Sequence, residues 1–243
     1  MDAERTRVGE LESHAGIAFL IVSVARFAQV VNATEINLDE ACLAMSSTIQ
    51  RPLDEIEWLA ALDMLAGDCP TPTPEGVARY LFGDLGFRGN TDAYFDWRNS
   101  CLDRVIDTRV GIPISLSVLM IEVARRVGVN LVGVSLPAHF LVRTADGPPR
   151  FFDPFAGGVE LDVGDARQLF ERVTRGQVPW RESFLHPTLA QPIVVRMLNN
   201  LRSIFQGRSD ELKLALVMQM RAQIPQLAAA EADEINWATA VFN

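Results

Sequence analysis

Apolar positions along the chain change their period twice. From the start to about residue 90 they recur at helical spacing. Ile17 to Val31 is apolar on nearly every face, which predicts a buried helix. Asn37 followed by Glu40 is a capping-box pattern and predicts an amphipathic helix to about Ile49. Pro52 marks a further helix start, and Leu53, Ile56, Leu59, Ala60 and Met64 follow on one face up to Gly67. The run Cys69-Pro70-Thr71-Pro72-Thr73-Pro74 is a stiff loop, because its prolines lack the N–H that a helix interior needs. A short helix from about Glu75 to Leu85 then leads to the glycine-rich turn Gly86-Phe87-Arg88-Gly89-Asn90.

The middle of the chain is mixed. Ser100 is placed to cap a short helix from Cys101 to about Arg109, with Asp103 in its first turn. Gly111 breaks that helix and Pro113 starts another. Ile114 to Val127 is apolar almost all round, with Arg125 and Arg126 in the last turn and Gly128 beyond it, the pattern of a buried central helix. Strand-like runs follow at Asn130 to Leu136, His139 to Arg143 and Arg150 to Asp153, with Ala145-Asp146-Gly147 as a turn. Helical spacing returns in Pro192 to Phe205 and Asp210 to Ile224, joined at Gly207. These shifts divide the chain into a helical region (1–90), a mixed core (91–190) and a helical tail (191–243).

The balance of 22 Lys+Arg against 31 Asp+Glu gives a net charge of −9. That argues against a nucleic-acid partner, which would need a basic face to displace counterions, and against an anionic membrane surface. The apolar stretch Gly16 to Ala25 is too short to span a bilayer, and acidic Glu4, Glu10 and Glu12 before it do not suit a signal peptide. Cys42, Cys69 and Cys101 are odd in number and widely spaced, which predicts reduced thiols in a cytoplasm rather than disulfides or a zinc site. His14, His139 and His186 have no carboxylate at ligand spacing, so neither a metal nor a cofactor is expected.

The chemistry-bearing feature is the hairpin around Asp146. If it is centred there, His139 and Asp153 face each other across neighbouring strands, with Cβ atoms roughly 4.5–5.5 Å apart. An Asp beside a His can fix its tautomer and support an imidazolium, as in acyl transfer. The alternative is a hydrogen-bonded core histidine and an Asp that caps the turn before Pro154. A nucleophile at the start of the central helix would gain from the helix dipole, but Pro113 stands there. Ser115 and Cys101 are the nearest candidates. Ser115 could equally be a first-turn polar residue, and Cys101 a small buried hydrophobe.

Residues Gly86 to Asn90, Tyr94 to Ser100, Arg109 to Ser117, Ala138 to Arg143 and Asp153-Pro154-Phe155 occur in an order that resembles the bacterial SirB-type transglutaminase-like proteins. The likeness extends from about Leu38 to Gly158, and the helical pair after Pro192 resembles a shortened tetratricopeptide-like tail. The resemblance implies an α+β fold of papain type, with a buried central helix on a small antiparallel sheet. Active relatives carry Cys at that helix start, then His and Asp on successive strands. His139 and Asp153 match the His and Asp, while the Cys position falls at or beside Pro113. Trp97, Cys101 and Ala138 depart from the residues usual in that family, namely Pro, an aromatic and Gly.

Two functional readings follow. In the first, the nucleophile is lost and the chain is a non-catalytic regulatory protein that binds a protein or peptide ligand. His139 and Asp153 would then share a polar cleft with Asn99, Arg98 and Arg109, and Arg109 could pair a carboxylate. In the second, Cys101 or Ser115 attacks an amide, His139 moves the proton and Asp153 orients His139. A third use, as an adaptor, would need an exposed groove along Met197, Leu201 and Leu216.

Overall fold

The computed structural model describes residues 21–50 and 53–229. Residues 17–20 of the expected first helix, and Pro52, lie outside them; helix α1 covers 21–31. Helix α2 (Leu38–Ile49) starts after Asn37 as expected, but the Asn37 amide donates to Glu40 Oε1 at 2.9 Å instead of capping a backbone N–H. Helix α3 (Glu55–Gly67) begins where Asp54 Oδ1 accepts from the backbone N–H groups of Ile56 and Glu57. Its expected apolar face is not the buried one: Ile56 and Met64 are 77% and 69% exposed, while Leu62 and Ala66 are buried. Helix α4 (Pro74–Ala78) is capped by Thr73 and runs into a π-helical turn, Arg79–Asp84.

The glycine-rich segment after it is half turn and half strand. Strand β1 (Arg88–Gly89) pairs in parallel with β2 (Val110–Gly111), through Arg88 N–H to Arg109 O and Asn90 N–H to Gly111 O. Between them lie a 3₁₀ turn (Trp97–Ser100) and helix α5 (Leu102–Thr108). Ser100 does not cap α5. Cys101 occupies that position, and the buried Ser100 hydroxyl has no hydrogen-bond partner among the described residues.

Helix α6 (Pro113–Arg126) is the central helix that the apolar run predicts, with every residue from Pro113 to Ala124 buried. It lies against a four-stranded antiparallel sheet ordered β3 (Leu131–Val134), β4 (Leu141–Thr144), β5 (Phe151–Asp153), β6 (Val159–Leu161). Alternation along the strands sorts the side chains. Val142 and Phe152 join the core around α6, whereas Leu141 and Phe151 pack with Ala166 and Leu169 of helix α7 (Val163–Thr174) on the other face. Each such apolar side chain contributes roughly 1.5–3 kcal/mol on burial. The result is the α+β arrangement of a helix on a small antiparallel sheet.

Helices α8 (Ala190–Gly207) and α9 (Glu211–Arg221) form the expected hairpin. Its apolar residues face inward: Met197 and Leu201 are fully buried, and Leu216 is 7% exposed, so they do not line an open groove. One hydrophobic core draws on all three stretches of the chain, through residues such as Leu43, Leu119, Val142 and Leu198. At the far end of α6, buried Asp39 and Glu122 are paired with Arg125 and Arg126, and Arg126 Nη2 reaches Asp39 Oδ2 at 2.6 Å.

Candidate functional site

The hairpin β4–β5 is centred one residue beyond the expected point. Val142 opposes Phe152 and Arg143 opposes Phe151. Thr144 and Arg150 close the loop, with Thr144 N–H donating to Arg150 O at 3.1 Å and Arg150 N–H donating to the Thr144 hydroxyl at 3.3 Å. Pro148 and Pro149 lie inside that loop, where their missing N–H groups break no ladder bond. His139 therefore does not oppose Asp153. It precedes β4, in a turn where its N–H donates to Leu136 O and Ala138 has a φ of 61°. Continuing the ladder would put Leu141 opposite Asp153, and His139 reaches Asp153 from the turn before β4 instead.

The contact survives this change of register. His139 Nε2 lies 3.0 Å from Asp153 Oδ2, with His139 7% and Asp153 2% exposed. Asp153 does both jobs that its sequence position allowed. Its Oδ1 accepts from the N–H groups of Phe155 (3.0 Å) and Ala156 (3.2 Å), capping the 3₁₀ turn Pro154–Ala156, while Oδ2 faces the imidazole. A carboxylate can only accept here, so in the neutral imidazole the proton sits on Nε2, facing Asp153, and the lone pair on Nδ1. Phe155 packs edge-on to the His139 ring, centroids 6.1 Å apart. It is held there by Gly89, where a Cβ would come within 2.5 Å of the Phe155 ring.

A small pocket of about 100 Å³ opens beside this pair. Its walls include Tyr94, Pro113, Ala138, His139, Arg196 and Asn200. Pro113, the first residue of α6, thus shares a cavity with the imidazole, and it has no group that can attack a carbonyl. The pocket also receives the start of α6 at Ile114, where first-turn N–H groups have no acceptor within the helix.

The two candidate nucleophiles are engaged elsewhere. The Ser115 hydroxyl is fully buried, donates to Asn99 O at 2.6 Å and accepts from Ile112 N–H at 3.1 Å. Gly111 gives it room, since a Cβ there would lie 2.8 Å from Ser115 Oγ. Cys101 is fully buried, its thiol reaches Trp97 O at 3.8 Å, and burial pushes its pKa well up, which keeps it a thiol. Neither side chain is hydrogen-bonded to His139.

The expected cleft cations are not brought to His139 either. Arg98 lies over the Trp97 ring and pairs with Asp96 at 3.3 Å. Arg109 has a left-handed backbone at the end of α5, and its guanidinium donates to Leu85 O at 2.9 Å. Asn99 is a scaffold residue. Its amide donates to Ala93 O (2.8 Å) and Tyr94 O (3.2 Å) and accepts from Asn90, which fixes the loop carrying Tyr94 into the pocket wall.

The cation at the pocket is Arg196, from α8. It donates to Ser135 Oγ, to Leu136 O at 2.7 Å and to His139 O at 2.8 Å, and it lies over the Phe140 ring. Burial lowers its pKa, though it stays far within the charged range. Sequence reading passed over Arg196 and Asn200 because they sit in the tail, distant from the hairpin in sequence. The available signal was a polar pair one turn apart beside the apolar Met197 and Leu201.

Comparison with known proteins agrees with this geometry. The profile described as the transglutaminase-like superfamily matches residues 36–199, which runs from before α2 into α8. A UPF0162 protein of Xylella fastidiosa (strain 9a5c) is 47% identical over 133 residues, covering 53% of this chain and 47% of that protein. A UPF0162 protein of Pseudomonas aeruginosa is 28% identical over 183 residues, 74% of this chain and 66% of that one. Human F-box only protein 21 is 30% identical over 157 residues, 57% of this chain and 24% of its own length. The chain spans about half the length of the Xylella relatives it matches. No solved structure matches it. With the central helix, the antiparallel sheet and the His–Asp pair in place, and the profile covering well over half of its residues, this chain belongs to the transglutaminase-like superfamily.

Proposed function

We propose that this chain is a transglutaminase-like scaffold that binds without acyl transfer: a non-catalytic regulatory or partner-binding protein whose protein or peptide ligand seats beside His139. The observation that carries this reading is Pro113 at the start of α6, sharing one pocket with an imidazole already oriented by Asp153. A base with its orienter but no attacking group can polarise and bind, yet it cannot form an acyl intermediate. The alternative, an amide hydrolase or acyltransferase using Cys101 or Ser115, needs one of them to turn toward His139. That would mean breaking the Ser115–Asn99 bond or drawing Cys101 out of its packing.

Within this reading the chain is a SirB-type member, and the α8–α9 hairpin is a shortened tetratricopeptide-like tail that closes the core. Three cysteines without a disulfide suit a reducing bacterial cytoplasm. No described helix is long and apolar enough to cross a membrane. The reading is tested by incubating the protein with an activated ester and with a glutamine-donor peptide plus a primary amine, then measuring intact mass. No covalent adduct is expected. An acyl group on Cys101 or Ser115 that disappears in His139→Ala overturns it.

A further inference from the structure

The pocket beside His139 contains a cation whose charge no described acidic residue neutralises. All three hydrogen bonds made by Arg196 go to neutral oxygens, those of Ser135, Leu136 and His139. No carboxylate lies within ion-pair distance of it among the described residues. Arg125 and Arg126, at the other end of α6, are by contrast each paired with buried Asp39 and Glu122. A guanidinium has five N–H donors. Three are used here, which leaves Nε–H and one Nη2–H without an acceptor among the described residues. Asn200 lies one turn along α8 and lines the same pocket, and its side-chain amide is hydrogen-bonded to no described residue. The Tyr94 hydroxyl is likewise without a described partner, and burial raises its pKa, so it remains a donor.

We propose that this pocket is a carboxylate-binding site, in which Arg196, with Asn200 and Tyr94, holds the carboxylate of a small acid or of a peptide C-terminus. The proposal rests on the binding reading above and names the ligand chemistry for that site. Two features select a carboxylate. A planar oxyanion matches the planar fork of a single guanidinium. No second Lys or Arg lines the pocket to balance a dianion such as phosphate. Arg196 is also fixed in advance by its three oxygens and by the Phe140 ring, which reduces the ordering cost of capture. Phe95, 72% exposed and edge-on to Tyr94 at 5.3 Å, offers apolar surface at the rim for the remainder of a longer ligand.

The test is an NMR titration of the whole chain at fixed ionic strength with N-acetylglycine, N-acetylglycinamide, propionate and inorganic phosphate. The acids are expected to bind at least about tenfold tighter than the amide and than phosphate, with shifts centred on Arg196, Asn200 and Tyr94. Arg196→Lys keeps the charge but loses the fork, and is expected to weaken N-acetylglycine at least about tenfold while the spectrum stays folded. Propionate binding as tightly as N-acetylglycine assigns the site to small acids, and a gain of at least about tenfold for the N-acetylglycine acid assigns it to peptide termini. Equal affinity for acid and amide overturns the proposal, as does an acid affinity unchanged in Arg196→Lys. Should Arg196→Lys fail to fold, the acid–amide comparison on the wild-type chain still decides. Those results leave the non-catalytic reading standing, whereas an acyl adduct would remove that reading and leave carboxylate capture intact.

Discussion

His139 Nε2 and Asp153 Oδ2 are 3.0 Å apart, although the two residues do not oppose each other in the β4–β5 ladder. The ladder is displaced so that Asp153 faces Leu141, and the imidazole reaches it diagonally from the turn before β4. An odd displacement of one strand would have sent the two side chains to opposite faces of the sheet. The observed displacement is even, by two residues, and Asp153 gains a second task at the start of the turn Pro154–Ala156.

Asp153→Ala removes the acceptor for one imidazole N–H and for two backbone N–H groups at once. Leaving such buried donors unpaired costs about 1–3 kcal/mol each, with partial relief from water. A loss of at least about 2 kcal/mol in urea unfolding is expected. Asp153→Asn is expected to do less damage, because its amide oxygen can still cap Phe155 and Ala156. Imidazole ¹⁵N spectra should show the Nε2–H tautomer in the wild type and its loss in Asp153→Asn. An Nδ1–H tautomer in the wild type would contradict the assigned network.

Thiol reactivity should separate the three cysteines. Burial raises the pKa of Cys42 and of Cys101, so both stay protonated at pH 8, while Cys69 is only half-buried. The sign is that of an acid disfavoured in its charged form: the thiolate is gained only at a pH well above the free-thiol range, or on unfolding. A disulfide reagent at pH 8 should count one fast thiol in the folded chain and three in denaturant. Cys42 and Cys101 should react at least about 100-fold more slowly than Cys69, since their exposure requires opening of the core. Fast labelling of Cys101 would revive it as a nucleophile.

Arg126→Met probes the ion cluster at the end of α6. Burial alone would raise the pKa of Asp39, but the hydrogen bonds from Arg126 and from the Glu40 N–H outweigh it and hold the carboxyl below its usual range. Glu122 moves the other way, raised by burial and by Asp39 beside it. A carboxyl lowered on folding contributes stability above its unfolded pKa, near 4, and loses that contribution as pH falls through the lower folded value. Removing Arg126 should therefore cost about 3 kcal/mol at pH 7, where Asp39 would be left ionised with Arg125 alone. The penalty should shrink as pH drops below about 4. Chemical unfolding of both proteins at pH 7 and pH 3 measures it, and a penalty independent of pH would contradict the assignment.

Much of this molecule was legible in its residue order, for identifiable reasons. The α6 boundaries follow from Pro113, the two closing arginines and Gly128, which are local signals that need no tertiary partner. The His–Asp pairing was legible because the two residues stand at the same end of neighbouring strands, which keeps them close through a two-residue change of register. The register itself was not, since the loop length depends on how Pro148 and Pro149 are accommodated. The face of α3 was misjudged because Ile56 and Met64 share helical spacing with residues that are buried, and only packing decides between them. Arg98 and Arg109 looked like cleft residues from their proximity to the motifs, yet each finds a nearer acceptor in Asp96 and in Leu85 O. Arg196 was hidden because its contacts to Leu136 and His139 are long-range, and no local pattern reports them.

The central claim is that Pro113 fills the place of an attacking group beside a His–Asp pair that is otherwise set up for one. Its most direct measurement is the alkylation rate of Pro113→Cys by iodoacetamide across pH 5–9, in a Cys69→Ser background, with and without His139→Ala. A thiol at the start of α6 and next to an imidazolium should titrate below about 7.5 and react well at pH 6.5. The expected result is a low-pKa thiol whose acidity disappears with His139→Ala. A new thiol that titrates like a free cysteine, indifferent to His139, would contradict the claim.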